Sequence, residues 1–479
     1  MNPDTPRWAS NVDNPYLHGI YAPTIHESSA FDLEVAGELP TDLFGAYVRN
    51  GPNSVFAPPN LYHWFDGDGM VHAVYFRDGK ASYRSRLIPT AALREETERG
   101  EALWPGVMGP FREAQGFRTK DTANTDVIWH HGELLALWYL CGEPHRLDPL
   151  TLEPRGVETF GGLRDTTVSA HPKVDERTGE LVWFTLSDFE PPFMTYGVCD
   201  RDGTLVHQVP IDLPGARAPH DLTITRNYTI LHDFPFFHDP EIMRAHGYRV
   251  ARFHRDLPTR FGVIPRRGGG DTIRWFDFEP GYVLHMVNAW EEDDWIIMDG
   301  CFEPDPTIAR DPGEGPLASM LAYLRVRAHL RRWRMNLRTG QCDEVQLDDL
   351  NVEFPLPDTE RYGDKTRFSY QQHLPEDMIT VEFRALVKYD HEDGSCVRYE
   401  YPEGWYGSES PFASKSGAQR EDEGYVVNIM THREGRSEAW VFDATQIDRG
   451  PIARVRLPSR VPVGFHAKWI PGSRVWSEA

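Results

Sequence analysis

Cysteine is scarce: Cys141, Cys199, Cys301, Cys342 and Cys396 are the only five in 479 residues. An odd number, widely spaced and without a C-x-x-C pair, excludes a disulfide framework and a cysteine-built zinc site, and it fits a reducing compartment. Positive charge is also short. Fifty Lys and Arg stand against 73 Asp and Glu, for a formal net charge of −23. That balance excludes a sequence-independent nucleic-acid binder, which needs a basic footprint. Long apolar runs are missing too. The longest, Leu134 to Cys141, falls far short of the ~18 residues of a spanning helix. The first residues, Met1 to Asn14, are polar and lack the apolar centre of a signal peptide. A soluble cytoplasmic protein is the expectation.

Turn-forming residues, by contrast, are abundant. The chain has 40 Gly and 38 Pro, above the usual combined share of about 12 %, and no low-complexity run collects them. They punctuate a series of strand-like runs. Asp78-Gly79, His131-Gly132, Thr339-Gly340, Asp393-Gly394 and Gly435 each separate two stretches rich in β-branched and aromatic residues, which reads as hairpin after hairpin. Many such units in one long chain suggest a propeller or a large barrel, folds that limit exposed strand edges. Helical pattern is confined to 90–103 and 316–332, which read as insertions over one face. No linker composition divides the chain, so one domain over 1–479 is expected.

Twenty histidines are a large supply of metal ligands. His171 in SAHPKVD lies between strand-like runs, His220 in APHDLTIT at the start of one, His285 in YVLHMVNAWEEDD at the end of one, and His466 in VGFHAKWIPG close to the C-terminus. Their wide spacing excludes a local motif such as HExxH. It suits a radial fold in which successive blades each send one residue to the axis. Pattern alone does not separate these four from the others, His232 in LHDFPFFHD among them. A lone histidine beside apolar residues is more often a satisfied core or surface residue than a ligand.

Several longer stretches carry a resemblance. They are GAYVRNGPNSVF (45–56), HWFDGDGMVHAVYF (63–76), SAHPKVDERTGELVWF (169–184), PHDLTITRNYTILHDFP (219–235), the run 258–294, EDEGYVV (421–427) and GFHAKWIPG (464–472). Together they resemble the carotenoid cleavage oxygenase family, non-haem iron enzymes that include apocarotenoid and stilbenoid cleavers. The resemblance implies an all-β, seven-bladed β-propeller capped by a helical and loop dome, with dome insertions near 90–120, 234–262 and 303–328. It implies Fe(II) held on the axis by His171, His220, His285 and His466, with Glu353 in NVEFP and Glu409 in GSESPF behind two of the ligand rings. A carboxylate in that position fixes the tautomer and raises ligand basicity. Thr125 in ANTDV matches a family threonine whose methyl crowds the open iron position.

One position departs. The family has a third Glu directly after LLALW, and this chain has Tyr139 there. A ligand ring, expected to be His220, must then use the Tyr139 hydroxyl, water, a backbone carbonyl or Glu143. The reaction implied is scission of a conjugated C=C bond by O2 into two carbonyl products. Family members that hold a phenol bring a Lys just before that Glu and a Tyr after YRxR; this chain has Trp138 and the run Leu87 to Leu93. The expected substrate is therefore an apolar polyene, a carotenoid or apocarotenoid. An aryl alkene of the lignostilbene, isoeugenol or vinylguaiacol type is the alternative. An isomerohydrolase-like member and a non-catalytic lipid-binding propeller are alternatives of other classes. Peripheral membrane contact through Leu317, Met320, Leu321 and Leu324 is a further expectation, set against simple packing of that face on the propeller.

Overall fold

The computed structural model describes residues 11–476 apart from 57–59, 110–118, 163–166, 239, 248 and 250. Seven antiparallel sheets form the blades of a β-propeller. Blades two to six are built from four strands each, taken in chain order: Asp126–His130 to Pro154–Val157, Lys173–Asp175 to Leu205–Ile211, Thr223–Ile224 to Arg274–Phe278, Tyr282–Glu292 to Cys342–Gln346, and Val352–Leu356 to Ser395–Glu400. Blades one and seven share the two ends of the chain. The last strand, Ala467–Pro471, pairs with Gly45–Asn53 on the axial edge of blade one. The early strand Val35–Gly37 covers the outer edge of blade seven beside Ala453–Arg456. This overlap closes the ring and buries Tyr47, Val74 and Phe76 of blade one with Val427, Ile429 and Val441 of blade seven.

Sequence explains which strands lie where. Gly45–Asn53 and Gly424–His432 are buried at every position, as strands sandwiched between neighbouring blades must be. Ser395–Glu400, an outer strand, reads SCVRYE and is almost wholly exposed. Fully buried Trp183, Trp333 and Trp440 fill blades three, five and seven. The hairpins fall where the turn chemistry placed them. At Asp78-Gly79 φ is 52° and 69°, and at His131-Gly132 it is 38° and 89°. Two successive positive values define the tight turn that matches strand twist, and glycine supplies the second at no steric cost.

The helix expected over 90–103 is Ala91–Arg99. Thr90 caps it by accepting the Leu93 N–H at 3.2 Å, and Gly100 ends it in the left-handed conformation at φ 73°. The second expected helix, 316–332, is corrected. Only Ala318–Ala322 is α-helical, and His329–Asn336 is a strand paired with Trp295–Glu303. The Leu- and Arg-rich sequence favours helix locally, but strand pairing and burial of Trp333 and Met335 override a weak propensity.

Three insertions cover one end of the axis. The segment before blade two carries the helix just described. Between two strands of blade four, Phe236–His238 pairs with Ala251–Phe253 around the helix Pro240–His246. This insertion ends earlier than expected, because Thr259–Pro265 is already a blade strand. The third lies between Trp295–Glu303 and His329–Asn336. Its face Met320, Leu321 and Leu324 is buried against Tyr16, Tyr62, Trp64 and Phe465, with Leu317 packed beside it. Burial of each such side chain is worth about 1.5–3 kcal/mol, so this face belongs to the dome's core and not to a membrane. Among the described residues no helix is long and apolar enough to cross a membrane.

Candidate metal centre

The seven blades each send one group to the axis beneath the dome. His466 precedes the axial strand of blade one, His171 that of blade three and His220 that of blade four, while His285 lies within that of blade five. Asp126, Glu353 and Glu409 come from blades two, six and seven. Around the ring, three successive blades thus bring His171, His220 and His285, two bring Glu353 and Glu409, and His466 and Asp126 complete the circle.

The histidines converge. One ligand nitrogen from each lies within 4.8 Å of all the others, the one such cluster found among the described residues. Ring centroids are 4.3 Å apart for His171–His466, 4.5 Å for His171–His220 and 4.6 Å for His285–His466. The Nε2 atoms of His171 and His220 face each other at 2.9 Å, and the buried Nε2 of His285 has no protein partner. A metal–imidazole bond is about 2.1 Å, so this spacing fits one shared ion. All four aim a nitrogen at the same point.

Three rings are held from behind. The Nδ1–H groups donate to Asp126 Oδ2 from His171 at 3.0 Å, to Glu353 Oε2 from His285 at 2.5 Å, and to Glu409 Oε1 from His466 at 3.0 Å. Each bond fixes the tautomer that leaves Nε2 free to ligate. The carboxylates are themselves tied down. Glu353 accepts the Phe354 N–H at 2.6 Å and Glu409 the Ala467 N–H at 2.5 Å. Phe354 has φ 54° at a bulge in its strand. That uncommon conformation stacks its ring on His466, 4.8 Å between centroids, while Glu353 meets His285. Asp221 links two ligand strands: it follows His220, accepts the Met286 N–H at 2.9 Å and pairs with Lys173 at 2.5 Å.

Burial, reinforced by neighbouring imidazoles, holds His171, His220 and His466 well below the ordinary histidine range. They are neutral, the form that could ligate a metal. Burial acts the same way on His285, but the Glu353 carboxylate outweighs it and raises that ring. Burial pushes Glu409 up to about 7, opposed first by Lys468. It also raises Asp126, again against Lys468. A divalent cation at the histidines would add a larger opposing charge to both.

Glu353 and Glu409 each accept a hydrogen bond from one ring of the histidine cluster, His285 and His466 respectively. Thr125 lines the cavity above the histidines. Its carbonyl accepts the His466 N–H at 3.3 Å and its hydroxyl donates to Asn124 at 3.0 Å. Tyr139 does not stand behind a ring. It lines the cavity, packs on Phe65 at 4.8 Å and gives its backbone N–H to Thr125. His220 has no carboxylate partner among the described residues, and the backbone N–H of Glu143 goes to Asp121 at 2.9 Å. Asp126 was missed. The signal was available, because neighbours on a strand face opposite ways and Asp126 follows Thr125.

The cavity holds about 290 Å³ and is floored by His220, His285 and His466. Trp64, Phe65, Tyr282, Phe354 and Phe465 give it apolar walls, and all three insertions contribute to its roof. Polar side chains line it as well, Asp188, Arg217, Arg249 and Arg325 among them. Arg249 pairs with Asp188 at 3.3 Å. Burial raises Glu303 to about 8, so its carboxyl is protonated at neutral pH and can donate a hydrogen bond.

The profile of the family described as retinal pigment epithelial membrane protein matches residues 21–471. The chain belongs to this family, the carotenoid cleavage oxygenases. It is 35 % identical to a carotenoid 9,10(9′,10′)-cleavage dioxygenase of Crocus sativus, over 95 % of this chain and 89 % of that one. It is 31 % identical to an isoeugenol monooxygenase of Pseudomonas nitroreducens, over 96 % and 99 %. The crystal structure of Pseudomonas brassicacearum lignostilbene dioxygenase superposes with a TM-score of 0.85 at 30 % identity, covering 96 % of this chain and 99 % of that one. This family member is an oxidoreductase.

Proposed function

We propose that the chain is an Fe(II)- and O2-dependent dioxygenase that cleaves one conjugated C=C bond of a carotenoid or apocarotenoid into two carbonyl products. The observation that carries this reading is the all-histidine, carboxylate-backed cluster at the floor of a roofed, mostly apolar cavity. Iron bound there would supply the redox chemistry that lets O2 react with an electron-rich alkene. The balance is simple: the C=C bond and the O–O bond break, and each carbon takes one oxygen.

The protein's part is positional. His171, His220, His285 and His466 would hold the ion with no anionic ligand. Thr125 occupies space beside the histidines. The aromatic walls hold one double bond over the floor and exclude water, so that binding geometry replaces chance encounter. Glu303 offers a donor to an oxygen-bearing end of the substrate.

Apolar walls favour the polyene. The residue at the phenol-anchoring lysine position is Trp138, which brings no ammonium and meets the Tyr139 ring edge-on at 5.6 Å. A second reading, cleavage of an aryl alkene, is favoured by the cavity volume of about 290 Å³, small for a long polyene, and by the two phenylpropanoid-type relatives. Fe(II)-loaded protein given an apocarotenal and a hydroxystilbene separately, with the aldehydes identified by mass spectrometry, decides between them. A pair of aldehydes from the apocarotenal supports the first reading; a pair from the stilbene alone supports the second.

A further inference from the structure

We propose that Asp126 is the third carboxylate of the metal centre, a positioning residue that holds His171 in place of an anion behind His220. This rests on reading the four-histidine cluster as a metal site. The two side chains are buried, 2 % and 4 % exposed, and meet at 3.0 Å between Oδ2 and Nδ1. The other oxygen is engaged as well: Oδ1 accepts the Val127 N–H at 2.8 Å and faces the Lys468 ammonium at 3.8 Å. The Asp126 carbonyl accepts from Asn50 Nδ2 at 3.0 Å. Backbone and side chain are both fixed, so the carboxylate has one orientation to offer, and it offers it to His171.

Tyr139 stands in the same blade and cannot do this. Its backbone N–H is spent on Thr125 Oγ1 at 3.0 Å and its ring lies against Phe65. Blade two therefore still supplies one anion, but from the start of its axial strand rather than from two residues past its second strand, Glu133–Leu137. The number of carboxylates stays at three while the ring that receives this one changes. A charge-assisted hydrogen bond is roughly twice as strong as a neutral one. His171 thereby becomes the more basic ligand and His220 the weaker one.

The test is anaerobic Co(II) titration of metal-free protein, followed by visible absorption, with thermal melting of the metal-free form alongside. Asp126→Asn should weaken Co(II) binding by about 10–100-fold and change the absorption bands, with little change in metal-free melting. Tyr139→Phe should bind within about twofold of wild type. Wild-type affinity and an unchanged spectrum in Asp126→Asn would overturn the proposal. His171→Ala and His285→Ala keep the two readings apart: if they bind Co(II) like wild type, the metal site itself is wrong. Should Asp126→Asn fail to fold, the Zn(II)-loaded wild type still decides by NMR. The proposal expects slowly exchanging Nδ1 protons on His171, His285 and His466. A His171 proton exchanging as fast as that of His220 would refute it.

Discussion

The Thr125 hydroxyl accepts the backbone N–H of Tyr139 at 3.0 Å and donates to Asn124 Oδ1 at 3.0 Å. Both hydrogen-bonding roles are filled inside the protein, so the methyl is the part of Thr125 left to the cavity.

This separates two functions of one side chain. Thr125→Val leaves the Tyr139 N–H unpaired, which should cost about 1–3 kcal/mol of stability, read in thermal or urea unfolding. Thr125→Ser keeps both hydrogen bonds and removes the methyl. It should melt like wild type yet bind azide more tightly in the Co(II)-loaded form. Equal azide affinity would show that the methyl does not crowd the metal position.

Glu353→Gln and Glu409→Gln each exchange a charged acceptor for a neutral one behind a ligand ring. Metal affinity should fall by about 10–100-fold in both, measured by Co(II) or Fe(II) titration. Glu353 is the closer partner, at 2.5 Å against 3.0 Å, so its replacement should have the larger effect.

Glu303 gives stability a pH dependence. Burial raises its carboxyl from 4.5 to about 8 in the folded chain. Between those values the folded state binds the extra proton, so its contribution is complete below the unfolded pKa and is lost as pH rises toward the folded one. Glu303→Gln removes that loss. Its melting temperature relative to wild type should climb from about pH 5 to about pH 8 and level off above. A difference independent of pH would mean that Glu303 is ionised in the cavity.

Much of this was legible in the sequence. Turn dipeptides such as Asp78-Gly79 marked the hairpins because few residue pairs tolerate two positive φ angles. The four histidines could be chosen only by their motif surroundings, since their convergence depends on a ring closed by residues 45–53 and 467–471. The helix expected over 316–332 failed where propensity met pairing: Arg331 and Arg332 favour a helix, but Trp333 had to fill blade five. Leu317, Met320, Leu321 and Leu324 do share a face, yet sequence cannot tell a face turned to the core from one turned to a membrane. Asp126 was not legible at Tyr139, where the family pattern carries its anion. The residue one place beyond Thr125 carried the charge, directed to His171, a different ring from the one expected.

The central claim is that these four histidines hold an iron whose reaction splits an alkene with both atoms of O2. It is tested most directly by supplying 18O2 to Fe(II)-loaded protein with an apocarotenal and analysing the products by mass spectrometry before exchange with water. The account predicts two aldehydes, each carrying one 18O at the new carbonyl, and none from His285→Ala or His466→Ala. Iron-loaded protein that consumes no O2 and yields no carbonyl pair from either the apocarotenal or a hydroxystilbene would contradict it.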